Sequence, residues 1–286
     1  MENYNNRVLQ IIFFLTIPFL GFNQEKISFI SANPFSFKDI ITNLDNQQNQ
    51  EVYGILNMPE NWSKEKKYPL IIAVSGSEGW ASHHYEYLQI YRDNGIATFE
   101  LCSFKSRGVS STVGTQVEVT TAMMILDSYR AFETLIKLPN IDQNNIGITG
   151  WSLGGGVTLF SAWEPLNQAI NSKVQFAAHL ALYPPCIVTP TILNFGNSPI
   201  HILIGELDNW TPAQACLELV NKLDNHPNIG LTIYPNAYHS FDRTTPPTVK
   251  KDGYILENCR FILREDGAVL MNFLNIPMSN PLLQKI

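Results

Sequence analysis

Ser152 stands in Gly150-Trp151-Ser152-Leu153-Gly154, after the β-branched run Ile146-Gly147-Ile148-Thr149 and before the small apolar Gly155-Gly156-Val157. Strand, sharp turn and helix in that order can hold a serine hydroxyl above a sheet as a nucleophile. The flanking glycines remove Cβ atoms that would collide where strand and helix fold back on each other. The helix N-terminus beneath Ser152 would offer backbone N–H groups and a partial positive charge to an oxyanion forming at an attacked acyl carbon. The pentapeptide alone also occurs as an ordinary glycine turn, so its partners decide.

Two partners follow in the required order. Ile200-His201-Ile202-Leu203-Ile204 reads as a buried strand and runs into Gly205-Glu206-Leu207-Asp208. Leu231-Thr232-Ile233-Tyr234 reads as the next strand and runs into Pro235-Asn236-Ala237-Tyr238-His239. Serine, then an acid, then a histidine at the carboxyl ends of successive strands is a triad order. Ser152 would attack, His239 would take and return the proton, and Asp208 would orient the imidazole and stabilise its cation. The plainer alternatives are that Asp208 caps the helix beginning near Pro212 and that His239 is a loop residue. The segment from Ser75 to Trp80 ends another expected strand, residues 69–74. Its backbone N–H near Ser77 would join that of Leu153 as an oxyanion donor, the alternative being a plain glycine turn.

The elements that must position these groups alternate along the chain. Strands are expected at residues 51–57, 69–74, 96–101 and 178–183, besides the three already described. Helices are expected at 82–93, 118–138, from the serine turn to about Trp163, at 212–223 and near 268–274. Such alternation implies an α/β fold with a mostly parallel central sheet and helices on both faces. Ligand chemistry then belongs at the carboxyl ends of the strands, where all three candidates fall.

The chain has 286 residues, 45% hydrophobic and 15% charged, enough for one substantial domain. Its formal net charge of −6 gives no basic footprint, so nucleic acid is not an expected partner. The polar run Asn46-Gln47-Gln48-Asn49-Gln50 reads as a loop before the first strand. Arg7 precedes the apolar stretch from Val8 to Phe22, which is too short for a membrane span but suits a signal peptide. Residues 1–30 are thus expected to be a signal peptide or N-terminal anchor, cleaved if at all between about Gly21 and Ala32, and residues 31–286 a single domain. Export to the periplasm or outside follows, with membrane contact only through an uncleaved N-terminus. Four cysteines, Cys102, Cys186, Cys216 and Cys259, allow three complete pairings. A Cys186–Cys216 bridge is favoured because both should lie near the carboxyl edge of the sheet. The six histidines lack zinc-ligand spacing, so neither metal nor cofactor is expected.

Taken together, Gly150-Trp-Ser-Leu-Gly-Gly, Gly205-Glu-Leu-Asp-Asn-Trp-Thr-Pro and Tyr238-His-Ser-Phe-Asp-Arg resemble the dienelactone hydrolase family of the α/β-hydrolase superfamily, from about Val52 to Phe273. The resemblance implies an α/β-hydrolase fold and hydrolysis of a small ester or lactone. It also implies that Arg107 and Arg243 hold a substrate carboxylate, a task suited to two guanidinium forks; surface or ion-paired arginines are the alternative. The family's namesake enzymes use cysteine where this chain has Ser152. A thiolate can be pre-ionised, whereas a serine hydroxyl must lose its proton to His239 during attack. The expected activity is therefore a cofactor-independent carboxylic ester or lactone hydrolase. Its rivals are a serine peptidase of the prolyl-oligopeptidase type and a catalytically inactive binding module.

Overall fold

The computed structural model describes residues 24–271, 276 and 277, apart from residues 172, 225 and 252. Its first strand, β1 (Gln24–Ala32), pairs antiparallel with β2 (Asn49–Asn57). Phe29 and Ala32 of β1 are buried in the core. The expected leader lies largely outside the described residues, but its boundary at residue 30 falls inside β1, so residues 24–30 belong to the sheet. Between these strands, α1 (Phe37–Asn43) starts on a capping box in which Ser36 and Asp39 each hold the other's backbone N–H. Asn49 and Gln50, expected in a loop, are the first residues of β2.

The alternating pattern then holds. β3 (Tyr68–Val74), α2 (Ser82–Asp93), β4 (Ala97–Leu101), the single turn α3 (Ser103–Ser106), α4 (Thr121–Leu135) and β5 (Ile141–Trp151) lead to the serine turn. α5 (Leu153–Phe160), α6 (Glu164–Asn171), β6 (His179–Leu182), β7 (Val188–Pro190), β8 (Ile200–Gly205), α7 (Ala213–Lys222) and β9 (Ile229–Tyr234) follow. Eight strands form one sheet in the order β1-β2-β4-β3-β5-β6-β8-β9. β2 and β4 pair antiparallel, and every pair from β4 to β9 is parallel. The central strands read as continuous apolar runs because both faces are covered: Leu70, Ile72, Val74, Ile146 and Ile148 are all buried. α1, α4, α5 and α6 pack on one another as one helical layer, while α2 packs on β4 and α7 on β8 and β9.

Three expectations need correction or completion. The long helix begins at Thr121, not near Glu118, because the Thr120 hydroxyl accepts the Met123 N–H as its cap while the Glu118 carboxylate is held by the hydroxyls of Thr112 and Thr115. The helix expected near 268–274 is instead a strand, β11 (Val269–Met271), as far as the described residues run. It forms a hairpin with β10 (Phe261–Leu263) through a turn in which Gly267 takes φ +81°. An apolar triplet headed by the β-branched Val269, just beyond Asp266-Gly267, favours that hairpin over a helix start. With β7 and β12 (Ile276–Pro277) it makes a second, four-stranded sheet. Finally, Cys186 and Cys216 are disulfide-bonded, whereas Cys102 and Cys259 are free thiols.

Candidate active site

Ser152 is the hinge between β5 and α5. Its backbone sits at φ 55°, ψ −113°, a left-handed conformation that a non-glycine residue adopts only where the surroundings impose it. The imposition is visible at two glycines. A Cβ on Gly150 would lie 2.2 Å from the Gly154 carbonyl oxygen, and one on Gly154 would lie 2.2 Å from that of Val74. Strand, turn and helix can approach this closely only with both side chains missing. The Ser152 N–H donates to the Leu182 carbonyl at 2.9 Å, which ties the turn to the end of β6.

The loops after β8 and β9 bring the other two candidates to Ser152. His239 Nε2 lies 2.9 Å from Ser152 Oγ, and His239 Nδ1 lies 2.7 Å from Asp208 Oδ2. The Asp208 side chain is fully buried and that of His239 is 14% exposed, so water reaches the imidazole but not the carboxylate. Asp208 is fixed from behind: its Oδ1 accepts the backbone N–H groups of Trp210 and Thr211, each at 2.9 Å. Its Oδ2 also accepts the Thr211 hydroxyl at 2.8 Å. Asp208 thus does organise a turn, as the plainer alternative expected, but one that stops short of α7, and its Oδ2 is shared between the Thr211 hydroxyl and the histidine. The His239 ring lies between aromatic neighbours, Tyr183 at 4.7 Å edge-on and Trp210 at 5.1 Å.

The 75–80 loop closes against the serine turn. A Cβ on Gly76 would lie 3.2 Å from the Trp151 carbonyl oxygen and 3.5 Å from Ser152 Cβ. The Gly79 N–H donates to Gly76 at 2.9 Å, so the loop is a tight turn with Gly79 at φ +77°. A neighbouring loop buttresses it: Thr112 N–H donates to the Ser77 carbonyl at 2.9 Å, and the Gln116 amide meets the Ser77 hydroxyl. Leu153, the other expected oxyanion donor, is the first residue of α5.

The structure separates the two arginines. Arg107 is an internal structural residue, contrary to the carboxylate-binding expectation. Its Nη1 and Nη2 form a two-pronged pair with Asp127 at 2.7 and 3.1 Å. The remaining donors reach Asn33 Oδ1 and the carbonyls of Ser103 and Ala32. All five guanidinium donors are used and the side chain is 6% exposed, which leaves nothing for a ligand. Arg243 stays by the site, 40% exposed and 3.8 Å from Glu78 of the 75–80 loop. The same Glu78 carboxylate binds Lys250, a cation that the sequence reading did not single out.

Lys250 belongs to the segment that follows the histidine loop, of which residues 241–251 and 253–260 are described. It is pinned at Glu78 by Lys250 and at the Gly114 carbonyl by the Tyr254 hydroxyl. It then returns to the acid loop, where Gly253 lies against the Trp210 ring and Leu256 N–H donates to Asn209 at 3.0 Å. A cleft of about 690 Å³ on the outer side of that loop is lined by Asp208, Pro212, Tyr238 and Arg260, but not by Ser152 or His239.

Backbone strain gathers at this edge. The described non-glycine residues with positive φ are Gln116, Ser152, Tyr183, Asn236 and Ser240. Each lies in the serine turn or a loop beside it. Burial shapes the electrostatics as well. His84 packs on Trp151 at 4.4 Å between ring centres, and burial lowers its pKa to about 3, so it is neutral. Burial, then the Asp242 carboxylate, raises the Tyr183 phenol far above its ordinary value. Among the described residues no group of three His, Cys, Asp or Glu side chains could hold a metal ion.

A mostly parallel sheet with a serine turn after its central strand and acid and histidine loops after two later strands defines an α/β-hydrolase. The chain belongs to the dienelactone hydrolase family, whose sequence model matches residues 90–258. It is similar to Dipeptidyl peptidase family member 1 of Caenorhabditis elegans, at 26% identity over 153 residues, 46% of this chain and 19% of that protein. The chain therefore spans about a fifth of the length of that curated relative. Among solved structures, a Klebsiella pneumoniae protein assigned as a dienelactone hydrolase superposes with a TM-score of 0.56 at 16% identity, over 80% of this chain and 93% of that one. Est1E from Butyrivibrio proteoclasticus superposes with a TM-score of 0.51 at 17% identity, over 68% of this chain and 88% of that one.

Proposed function

We propose that this hydrolase cleaves carboxylic esters or lactones through an acyl-enzyme on Ser152. The observation that carries the reading is the unbroken relay from Ser152 Oγ to His239 at 2.9 Å and on to Asp208 at 2.7 Å. His239 removes the hydroxyl proton as Ser152 attacks the acyl carbon, then returns it to the departing alcohol. The backbone N–H groups of Leu153 and Ser77 hold the oxyanion, and water reverses the sequence to free the acid. Arg243 and Lys250, both on Glu78 at the mouth, support a substrate bearing an anionic group beyond its scissile bond.

Amide hydrolysis is the second reading, favoured by the similarity to a dipeptidyl peptidase over 153 residues. The apolar leader together with the Cys186–Cys216 bond supports export to an oxidising compartment. The test is fluorophosphonate labelling with peptide mapping. Ser152 should carry the label, and Ser152→Ala should lose it along with turnover by several orders of magnitude. An unlabelled, inert wild type would favour a binding module instead. Faster cleavage of a dipeptide p-nitroanilide than of any short p-nitrophenyl ester would favour the peptidase.

A further inference from the structure

Asp242 lies three positions beyond His239 and touches neither Ser152 nor Asp208 in any contact described above. Its carboxylate instead joins two other strand ends. Oδ2 accepts the indole N–H of Trp151 at 2.9 Å, and Oδ1 accepts the phenol of Tyr183 at 3.0 Å. Both donors belong to side chains that are about 1% exposed, so their hydrogen bonds must be met within the protein; the indole meets Asp242, and the phenol meets Asp242 and the Ser240 side chain of the same loop. Both also bear directly on the relay. Trp151 is the residue before Ser152, so its ring sets the direction from which the chain enters the turn. Tyr183 stands edge-on against the His239 ring at 4.7 Å and holds a left-handed backbone, φ +38°. The loop carrying Asp242 is itself bent by two left-handed residues, Asn236 and Ser240 at φ 58°, on either side of His239.

We propose that Asp242 is a positioning residue, whose carboxylate clamps the histidine loop to the ends of β5 and β6 and so fixes the Ser152–His239 geometry. The proposal rests on the serine-hydrolase reading. Its physical logic is that His239 sits on a strained loop outside the sheet, and Asp208 controls only one edge of its ring. Rotation about that hydrogen bond would swing Nε2 away from Ser152 without breaking the acid contact. The Asp242 clamp opposes this, since Tyr183 cannot move back from the imidazole while its hydroxyl is held. Misplacement of a reacting group by about 1 Å can cost about a hundredfold in rate.

The test uses Asp242→Asn and Tyr183→Phe, alone and combined, in the full chain. The asparagine keeps the shape but turns an NH2 group toward one of the two donors; the phenylalanine deletes only the hydroxyl. Active sites are counted by the end point of fluorophosphonate labelling, so that unfolded protein drops out of the comparison. Per active site, each single variant should lose about ten- to a hundredfold in kcat and in fluorophosphonate labelling rate, with KM little changed. The double variant should lose hardly more than the worse single one, because both cut the same clamp. Wild-type kcat per active site in both variants, with a lower melting temperature alone, would overturn the clamp while leaving the hydrolase reading intact. A wild type that takes no label and hydrolyses no ester would overturn both.

Discussion

Arg107 and Asp127 meet as a two-pronged ion pair in the interior, with side-chain exposures of 6% and 0%. The pair fastens the end of β1 to α4, since Arg107 also holds the Ala32 carbonyl and the Asn33 side chain. Arg107→Ala should therefore cost about 3–5 kcal/mol of stability, because Asp127 would be left buried and uncompensated. Urea unfolding checks this. A stable Arg107→Ala protein with a raised KM for anionic esters would restore the ligand-binding role.

Stability should also fall in mild acid. Burial lowers the pKa of His179 to about 4 and that of His84 to about 3. An unfolded histidine titrates near 6.5. Below that pH the unfolded chain takes up protons that the folded one refuses, so stability present above pH ~6.5 is lost as pH falls toward 4, by up to about 1.4 kcal/mol per unit for each histidine. Urea midpoints between pH 7 and 5 measure the slope. His179→Leu should flatten it, and an unchanged slope would remove His179 from the account.

Arg243 and Lys250 should favour anionic esters only weakly, since both are partly exposed and already share Glu78. Arg243→Ala should raise KM for an ester with a free carboxylate by about fivefold, the worth of roughly 1 kcal/mol for a surface pair. Glu78→Gln should lower the same KM by freeing both cations. Equal changes for a neutral isostere would count against an anionic substrate.

The Cys186–Cys216 bond closes a loop of sequence separation 30, for which chain entropy predicts about 3–4 kcal/mol. The double serine variant should unfold at correspondingly lower urea and lose all sensitivity to reductant. Equal stability of the two proteins under oxidising conditions would show that the bond does not form.

The candidate site of this chain is legible where side-chain type and backbone demand coincide. Ser152 needs its glycines, and Asp208 and His239 each close a β-branched strand, so all three could be read directly. β1 is hidden because the apolar stretch before it suggests a leader running to residue 30, whereas α1 has only seven residues, and its one sequence signal is the capping pair Ser36 and Asp39. Thr211 could have been found too: a threonine three positions after an aspartate at a strand end can cap the same turn that the aspartate organises. Arg107 misled because spacing cannot reveal a partner; only packing brought Asp127 to it from α4. The same holds for Asp242, whose two donors lie 91 and 59 residues away along the chain.

Trp210 lies 5.1 Å from His239, ring centre to ring centre, with the two planes inclined by 34°. An indole's emission depends on the polar groups packed against it, and this imidazole is one of them. The position of the His239 ring is thus written into the intrinsic fluorescence of the resting protein. An emission change when a covalent label at Ser152 displaces the imidazole, seen in wild type and not in Trp210→Phe, would report that contact directly.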